Sequence, residues 1–365
     1  MNKRTQKQKE PQSKYLRVRN GLRVSLLNGE FAEGSFLPGE RLLADRFEVS
    51  YMTARRAIES LVIDGLCERR GKRTVITNDA LRLVSSVRLN LLCARLNTFS
   101  EPFLKAAESV ARENGWITQL MIIHGPNDPL CLRVIASGDP CIVVLPEDAL
   151  LRGKIGQALA GTHGPVVIIG NRPGGDPVPW VKADDRAGMQ LALRHLRELG
   201  HSSILFVHDA WQHQGLADAL EVLREDSLDQ PSVRPLAPLC VAAGGDQARP
   251  HVAREAIKGY LDEHSLPSAI ICDNDELALG VLHGLRDRRI EIPEDVSLVS
   301  IGNTVLAEYA VPSLSVVDVR FGRHMRVATD IISSLLKGDV PQKPGHIIQP
   351  RMIQRESTAA PKTLG

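Results

Sequence analysis

The amino-acid sequence predicts an α/β chain of two unequal parts, a small helical head with a basic hairpin and a much longer region of alternating strands and helices. Three observations predict it. Ala54, Ala57, Ile58 and Leu61 recur at i, i+3, i+4 and i+7, the stripe of a short amphipathic helix. Positive charge is concentrated at the amino end: residues 1–77 hold 16 Lys and Arg against 9 Asp and Glu, a net of +7. The whole chain of 365 residues is only +2, so residues 78–365 sum to −5. From Val87 onward, short β-branched or apolar runs alternate with amphipathic segments, the pattern of βαβ units and a parallel sheet.

The head is read first. Residues 1–13, polar and with four Lys or Arg, are expected to be a flexible tail. Residues 14–77 follow as the winged helix-turn-helix. Ser50 is placed to N-cap the second helix of the pair, because its hydroxyl can accept from a free backbone N–H of the first turn. With the apolar stripe turned inward, the amino-terminal turns carry Ser50, Tyr51, Thr53 and Arg55 outward, where a recognition helix meets phosphates and base edges. Leu66 to Arg69 and Thr74 to Thr77 read as two strands around Arg70, Gly71 and Lys72, a wing that would bring positive charge to DNA. An ordinary three-helix bundle with solvated arginines is the competing reading. Charge placement favours the nucleic-acid one.

Residues 78–86 lack a strand pattern and are expected to be a linker. In the large region the expected strands are Val87 to Ala94, Ile117 to Ile123, Cys141 to Leu145, Val166 to Ile169, Ile204 to Val207, Ala269 to Cys272, Ser297 to Ile301 and Leu314 to Val317. The clearest helix runs from Asp185 to Leu199, with Gly200 as its left-handed stop. Asp275 to Arg288 and Phe321 to Leu336 are two more.

Composition narrows the function classes. No apolar run approaches the roughly 18–20 residues that span a bilayer, and the first 20 residues lack a signal peptide's apolar centre, so a cytoplasmic location without membrane association is expected. Cysteines 67, 93, 131, 141, 240 and 272 are scattered without a Cys-x-x-Cys pair and read as small core residues. Histidines 195, 201, 208 and 213 carry no zinc spacing. Neither a Gly-x-x-x-x-Gly-Lys-Ser/Thr phosphate loop nor a Gly-x-Ser-x-Gly turn occurs, and adjacent carboxylates such as Asp184 and Asp185 are explained as helix caps. No enzymatic activity, cofactor or metal is expected.

The run Leu37-Pro38-Gly39-Glu40-Arg41-Leu42-Leu43-Ala44, followed by Val49-Ser50, Thr53, Arg55, Ala57, Leu61, Asp64-Gly65-Leu66 and Arg70-Gly71-Lys72, resembles the winged helix-turn-helix of the GntR family of bacterial transcription regulators. The resemblance implies DNA contacts by Arg41, Arg55 and the wing. The chain departs from the family's usual residues at Gly39 and at Tyr51, which stand where Ser and Arg are common. Tyr51 can still hydrogen-bond a phosphate, but a guanidinium reading guanine is lost.

Further on, Pro165 to Ile169, Ala183 to Gly188, Leu199-Gly200-His201, Gly215-Leu216, Leu266 to Asp275 with Ala278 to Gly280, Ile292 to Ser297, Pro312-Ser313-Leu314 and Arg355 to Thr358 resemble the effector domain of the LacI repressor family. That domain shares its fold with periplasmic sugar-binding proteins. The resemblance implies a two-lobed periplasmic-binding-protein-like domain over residues 87–365, built of Rossmann-like parallel sheets and crossed near Ala183, Gly302 and Arg320. Lobe 1 would then span about 87–183 and 302–320, and lobe 2 about 184–301 and 321–358. Loops beyond the strands' carboxyl ends form a crevice in such sheets, and two lobes can enclose a ligand by hinge closure. The candidate ligand contacts are Phe103, Asn171, Asp184, Trp211, Gln212 and Asp275. Core packing for the two aromatics, and capping at Asp184 and Asp275, are the competing roles. Gln212 stands where the family often has Arg, which favours a neutral sugar over an anion. Ser300-Ile301-Gly302-Asn303 stands where the family usually reads Gly-Phe-Asp-Asp.

The expected function is that of a ligand-responsive transcriptional regulator, a repressor acting as a homodimer on double-stranded operator DNA. A constitutive DNA-binding protein whose large domain only dimerises, and a cytoplasmic sugar-binding protein, are the alternatives.

Overall fold

The computed structural model describes residues 14–27, 29–80, 87–94, 98, 100–144, 148–162, 164–170, 178–209, 214–229, 236–242, 248–337, 339 and 344–362. The expected tail at 1–13 lies outside them, as does most of the expected linker. The chain divides into an amino-terminal unit reaching Arg88 and a larger unit formed by nearly all the rest.

In the amino-terminal unit, α1 (Lys14–Leu27), α2 (Glu40–Arg46) and α3 (Tyr51–Ile63) precede the hairpin β1 (Cys67–Arg70) and β2 (Arg73–Ile76). The predicted stripe is the core: Ala54, Ala57, Ile58 and Leu61 are buried among Val18, Leu22, Leu26, Leu43 and Ile76. Small side chains at 54 and 57 let the helices approach closely. Gly21 has a matching role, since a Cβ there would lie 2.5 Å from the Phe47 ring in the turn between α2 and α3. The wing is wider than a hairpin. Leu37 N donates to Thr74 O and Ile76 N to Ser35 O, both at 2.9 Å, so residues 34–37 line the free edge of β2. Ala80 is buried in the same core, which carries this unit three residues beyond the predicted boundary at Thr77.

The larger unit contains two six-stranded sheets. The first orders its strands β13-β7-β6-β5-β3-β4, from β3 (Arg88–Cys93), β4 (Ile117–Ile122), β5 (Cys141–Val144), β6 (Val166–Ile169), β7 (Trp180–Ala183) and β13 (Gly345–Ile348). The second orders them β14-β12-β11-β10-β8-β9, from β8 (Ile204–Asp209), β9 (Leu239–Val241), β10 (Ala269–Cys272), β11 (Ser297–Gly302), β12 (Ser315–Asp318) and β14 (Arg351–Ile353). In this second sheet only β14 is antiparallel, against β12. Both faces of it are covered: Leu205, Val207, Ile270 and Cys272 join one core cluster, while Ile204, Phe206, Ala269 and Ile271 join another. A strand buried on both sides has no polar face, which is why these segments read as continuous apolar runs.

Helices α4 (Glu101–Glu113) and α13 (Phe321–Leu336) cover the first sheet, whereas α8 (Asp185–Glu198), α10 (Arg249–Glu263), α11 (Asp275–Asp287) and α12 (Val305–Tyr309) belong with the second. This corrects the predicted lobes. β11 and β12 are hydrogen-bonded neighbours, so the chain does not change lobes at Gly302. Its crossings lie between β7 and α8, between β12 and α13, and between β13 and β14. Residues 302–318 therefore belong to lobe 2 and α13 to lobe 1. Two aspartates tie the crossings together: Gln349 Nε2 donates to Asp184 Oδ2 at 2.9 Å, and Arg351 Nε donates to Asp318 Oδ2 at 2.9 Å.

Close helix packing in lobe 2 rests on glycines in α11. A Cβ at Gly280 would lie 2.2 Å from the Pro250 carbonyl oxygen and 2.7 Å from Ala253 Cβ, whereas Gly259 on α10 has nothing within 4 Å. Gly280→Ala should destabilise the fold through overpacking, by about 1–3 kcal/mol, and lower the thermal midpoint accordingly. Gly259→Ala should leave stability unchanged or raise it, by up to about 1 kcal/mol, so its midpoint should hold or rise. Melting the two variants in parallel by circular dichroism checks the contrast.

Candidate nucleic-acid interface and inter-lobe contacts

α3 begins where its cap is made. Ser50, with φ −67° and ψ 151°, accepts a hydrogen bond from Thr53 N at 3.2 Å. Its Oγ also lies 2.8 Å from Thr53 Oγ1, so both hydroxyls serve the first turn. Glu48 at φ 52° gives the left-handed bend that starts α3 at Tyr51. Beyond the cap, Tyr51 is 41% exposed and Met52 65% exposed. Arg41 and Arg55 are exposed as well: Arg41 adjoins Glu40, to which the Tyr51 hydroxyl donates, and Arg55 follows Tyr51 by one helical turn. Arg41, Tyr51 and Arg55 therefore share one surface.

These groups are held unequally. Arg55 Nε donates to Glu59 Oε1 at 3.0 Å along the helix. Arg70 Nε donates to Glu68 Oε1 at 2.6 Å on the wing. Exposed ion pairs of this kind contribute little and exchange readily for a phosphate. Gly71, at φ 63° with open space around it, makes the turn of the wing, and Lys72 is exposed next to it. Arg73 stacks over the Phe36 ring at 4.9 Å, fixing the base of the wing.

Sequence reasoning gave no role to Glu40 or Arg69, which connect the pieces. Tyr51 Oη donates to Glu40 Oε2 at 2.7 Å, and Arg69 Nη2 donates to Glu40 Oε1 at 2.8 Å. Arg69 Nη1 also donates to Thr74 Oγ1 at 2.8 Å. One carboxylate thus joins α2, α3 and the wing. The Tyr51 hydrogen bond, followed by Arg69, holds the Glu40 carboxyl below the usual glutamate range.

In the larger unit the expected ligand residues separate. Asn171, Trp211 and Gln212 lie outside the described residues. Phe103 is 2% exposed, its ring edge-on to Phe321 at 4.9 Å and to His324 at 5.7 Å. This corrects its reading as a stacking platform, because the ring is buried in the contact between α4 and α13. Asp184 is half-buried and caps α8, accepting from Ala187 N at 3.0 Å while it holds Gln349.

Asp275 is 1% exposed. Its carboxylate accepts from the Ser300 hydroxyl, from Asn303 N at 3.1 Å and from Thr304 N at 2.6 Å, while Asn274 caps the helix. Burial pushes its carboxyl up, against the lowering effect of those hydrogen bonds. The carboxylate is buried against Ser300, Asn303 and Thr304 instead of facing open space, which departs from the expectation of an acceptor exposed to ligand hydroxyls. Gly302 permits the arrangement, since a Cβ there would lie 2.8 Å from Asp275 Oδ2.

A network that sequence reasoning missed lies at the carboxyl ends of the lobe 2 strands. Arg249 Nε pairs with Asp209 Oδ2 at 2.8 Å, and its Nη1 lies 3.5 Å from Glu276 Oε2. The Thr98 hydroxyl, following β3 in lobe 1, donates to Glu276 Oε1 and so links the lobes. The available signal was positional: Asp209 ends a strand, Glu276 opens a helix, and Arg249 stands before Pro250 at a helix start. Among the described residues, no group of three or more His, Cys, Asp or Glu side chains could hold a metal ion, and no helix is long and apolar enough to cross a membrane.

Another pair steadies the amino-terminal unit. Arg46 donates to Glu30 at 2.9 Å, and with Ser25 this lowers the Glu30 carboxyl from 4.5 to about 2. A depressed folded-state value stabilises above the unfolded value and is lost as pH falls through the folded one. The pair's contribution should therefore be intact above pH 4.5 and vanish between there and about pH 2. Glu30→Gln should flatten that part of the acid melting profile, which calorimetry at stepped pH measures.

Comparisons agree with this anatomy. Residues 14–76 match the family described as bacterial regulatory proteins of the gntR family, and residues 193–358 match the periplasmic binding protein-like domain. The arabinose metabolism transcriptional repressor of Geobacillus stearothermophilus is 25% identical, the alignment covering 94% of this chain and 97% of that one. A LacI family transcriptional regulator from Enterococcus faecium, solved with bound ribose, superposes with a TM-score of 0.65 at 20% identity, covering 75% of this chain and all of that one. Another, from Arthrobacter sp. FB24 in complex with lactose, gives 0.63 at 21%, covering 74% and 99%. At such identities the structural likeness establishes the fold. The chain thus joins a region that matches the gntR family of bacterial regulatory proteins to one that matches the periplasmic binding protein-like domain and has the fold of LacI-family regulators.

Proposed function

We propose that the protein is a DNA-binding transcriptional regulator, a repressor, whose grip on a double-stranded operator is altered by a sugar bound between the lobes of its larger domain. The observation that carries this reading is the exposed group of Arg41 on α2 with Tyr51 and Arg55 at the start of α3, in a unit whose first 77 residues carry a net +7. A helix presenting its amino-terminal turns in this way suits the major groove, and the surplus cations suit phosphates. Lys72 and Arg70 on the wing would add contacts to the backbone or minor groove, with Ser50 and Thr53 as lesser partners. Such a protein works in the cytoplasm, as a homodimer on a near-palindromic site, and has no catalytic role.

The sugar reading draws on the arabinose repressor and on the ribose and lactose complexes among its relatives. We place the effector at the carboxyl ends of the strands, near Asp209, Arg249, Glu276 and Thr98, with Asp184 at the crossings; Asn171, Trp211 and Gln212 are further candidates. Planar charged side chains hydrogen-bond sugar hydroxyls in pairs, and the Thr98 to Glu276 contact is one that a ligand would replace or reinforce. A specific observation favours a second reading, a constitutive DNA-binding protein: Asp275 is already satisfied by Ser300, Asn303 and Thr304.

Titration of operator duplexes from the protein's own promoter region, at several salt concentrations and with a panel of free sugars, decides between them. Regulation predicts a steep salt slope and a shift of about 5–150-fold in affinity with one sugar. Arg55→Ala should cost about 1–3 kcal/mol of specific binding. A titration unmoved by every sugar, with no thermal stabilisation by any, would favour the constitutive protein.

A further inference from the structure

The Tyr51 hydroxyl has one proton, and Glu40 takes it. The phenol donates to Glu40 Oε2 at 2.7 Å. That carboxylate cannot swing away easily, because its other oxygen is bound by Arg69 Nη2 at 2.8 Å, and Arg69 is itself anchored on Thr74 Oγ1 at 2.8 Å. Thr74 is 5% exposed and sits in the wing strand, so the anchor belongs to the folded core rather than to a loose surface chain. An ionised carboxylate only accepts, so it gives no proton back. What remains on the exposed side of the phenol is its lone pairs.

A group that only accepts has restricted partners on DNA. Phosphate oxygens accept as well, and so do guanine O6 and N7 and thymine O4 in the major groove. The donors there are the exocyclic amines, cytosine N4 and adenine N6. Resting on the DNA-binding reading above, we propose that Tyr51 is a specificity-determining residue that accepts a hydrogen bond from an exocyclic base amine, with Glu40 as the positioning residue that sets this polarity. Tyr51 is therefore not a phosphate anchor. At this position the helix selects adenine or cytosine and rejects guanine, whereas an arginine, which only donates, would select the reverse.

The test is selection from a pool of randomised duplexes by the full-length protein and by Tyr51→Phe, Tyr51→Arg and Glu40→Gln. Wild type should enrich adenine or cytosine at one position of each half-site, and which of the two emerges identifies the amine. Tyr51→Phe, an exposed change with no cost to the core, should reduce that preference about tenfold or more while leaving the other positions and the salt slope intact. Tyr51→Arg should enrich guanine at the same position. Glu40→Gln, whose amide can donate to the phenol, should weaken the preference, with circular dichroism confirming the fold. Guanine at that position for wild type would overturn the proposal. So would a Tyr51→Phe base pattern identical to wild type with affinity lowered about equally for every sequence, the signature of a lost neutral phosphate contact. Failure of wild type to enrich any sequence would overturn the DNA-binding reading itself.

Discussion

The burial of one stripe of α3 fixes everything the amino-terminal unit can present. Ala54, Ala57, Ile58 and Leu61 are at most 1% exposed, so the helix has one rotational setting. Ser50 fixes its start, and with start and rotation set, Tyr51 and Arg55 have no alternative to the open face. The same constraint explains the small residues. Alanines within the stripe and Gly21 on α1 bring three short helices close enough to bury a common core, which a unit of this size needs in order to be stable.

Glu40 adds a polar constraint to the apolar one. It stands at the first position of α2 yet holds the first residue of α3 and a residue of β1, so it sets wing and reading helix against each other. In the larger unit Asp275 has a comparable part, joining the start of α11 to the turn after β11. Ser300, where LacI-type sequences usually have glycine, supplies one of its donors, and Gly302 leaves room for its carboxylate.

Much of this was legible in the sequence where the signal is local. The cap at Ser50, the stripe of α3, the stop at Gly200 and the eight apolar strands each depend on residues within a turn or two. Other features were not legible, for physical reasons. Trp180–Ala183 and Arg351–Ile353 are short strands at or near sheet margins, where partial exposure removes the apolar signature. The lobe to which β12 and α13 belong is decided by pairing across the fold, not by the segments themselves, so the crossing at Gly302 was misplaced. The donors to Asp275 lie 25 to 29 residues away, and Arg69 lies 29 residues from Glu40. Phe103 shows the same limit: an aromatic after a strand reads alike whether it faces a ligand or, as here, Phe321.

The central claim is the orientation of α3 on DNA, and tethered cleavage measures it directly. An iron chelate coupled to a cysteine at Met52→Cys, in a Cys240→Ser background because Cys240 is the exposed native thiol among the described residues, places the cutting radical at the amino-terminal turn of α3. The same chelate at Ile63→Cys, 85% exposed at the other end of the helix, is the control. The account predicts major-groove cuts within each half-site from position 52 and weak or displaced cuts from position 63. Equal cutting from both positions, or strong cutting from 63 alone, would contradict it.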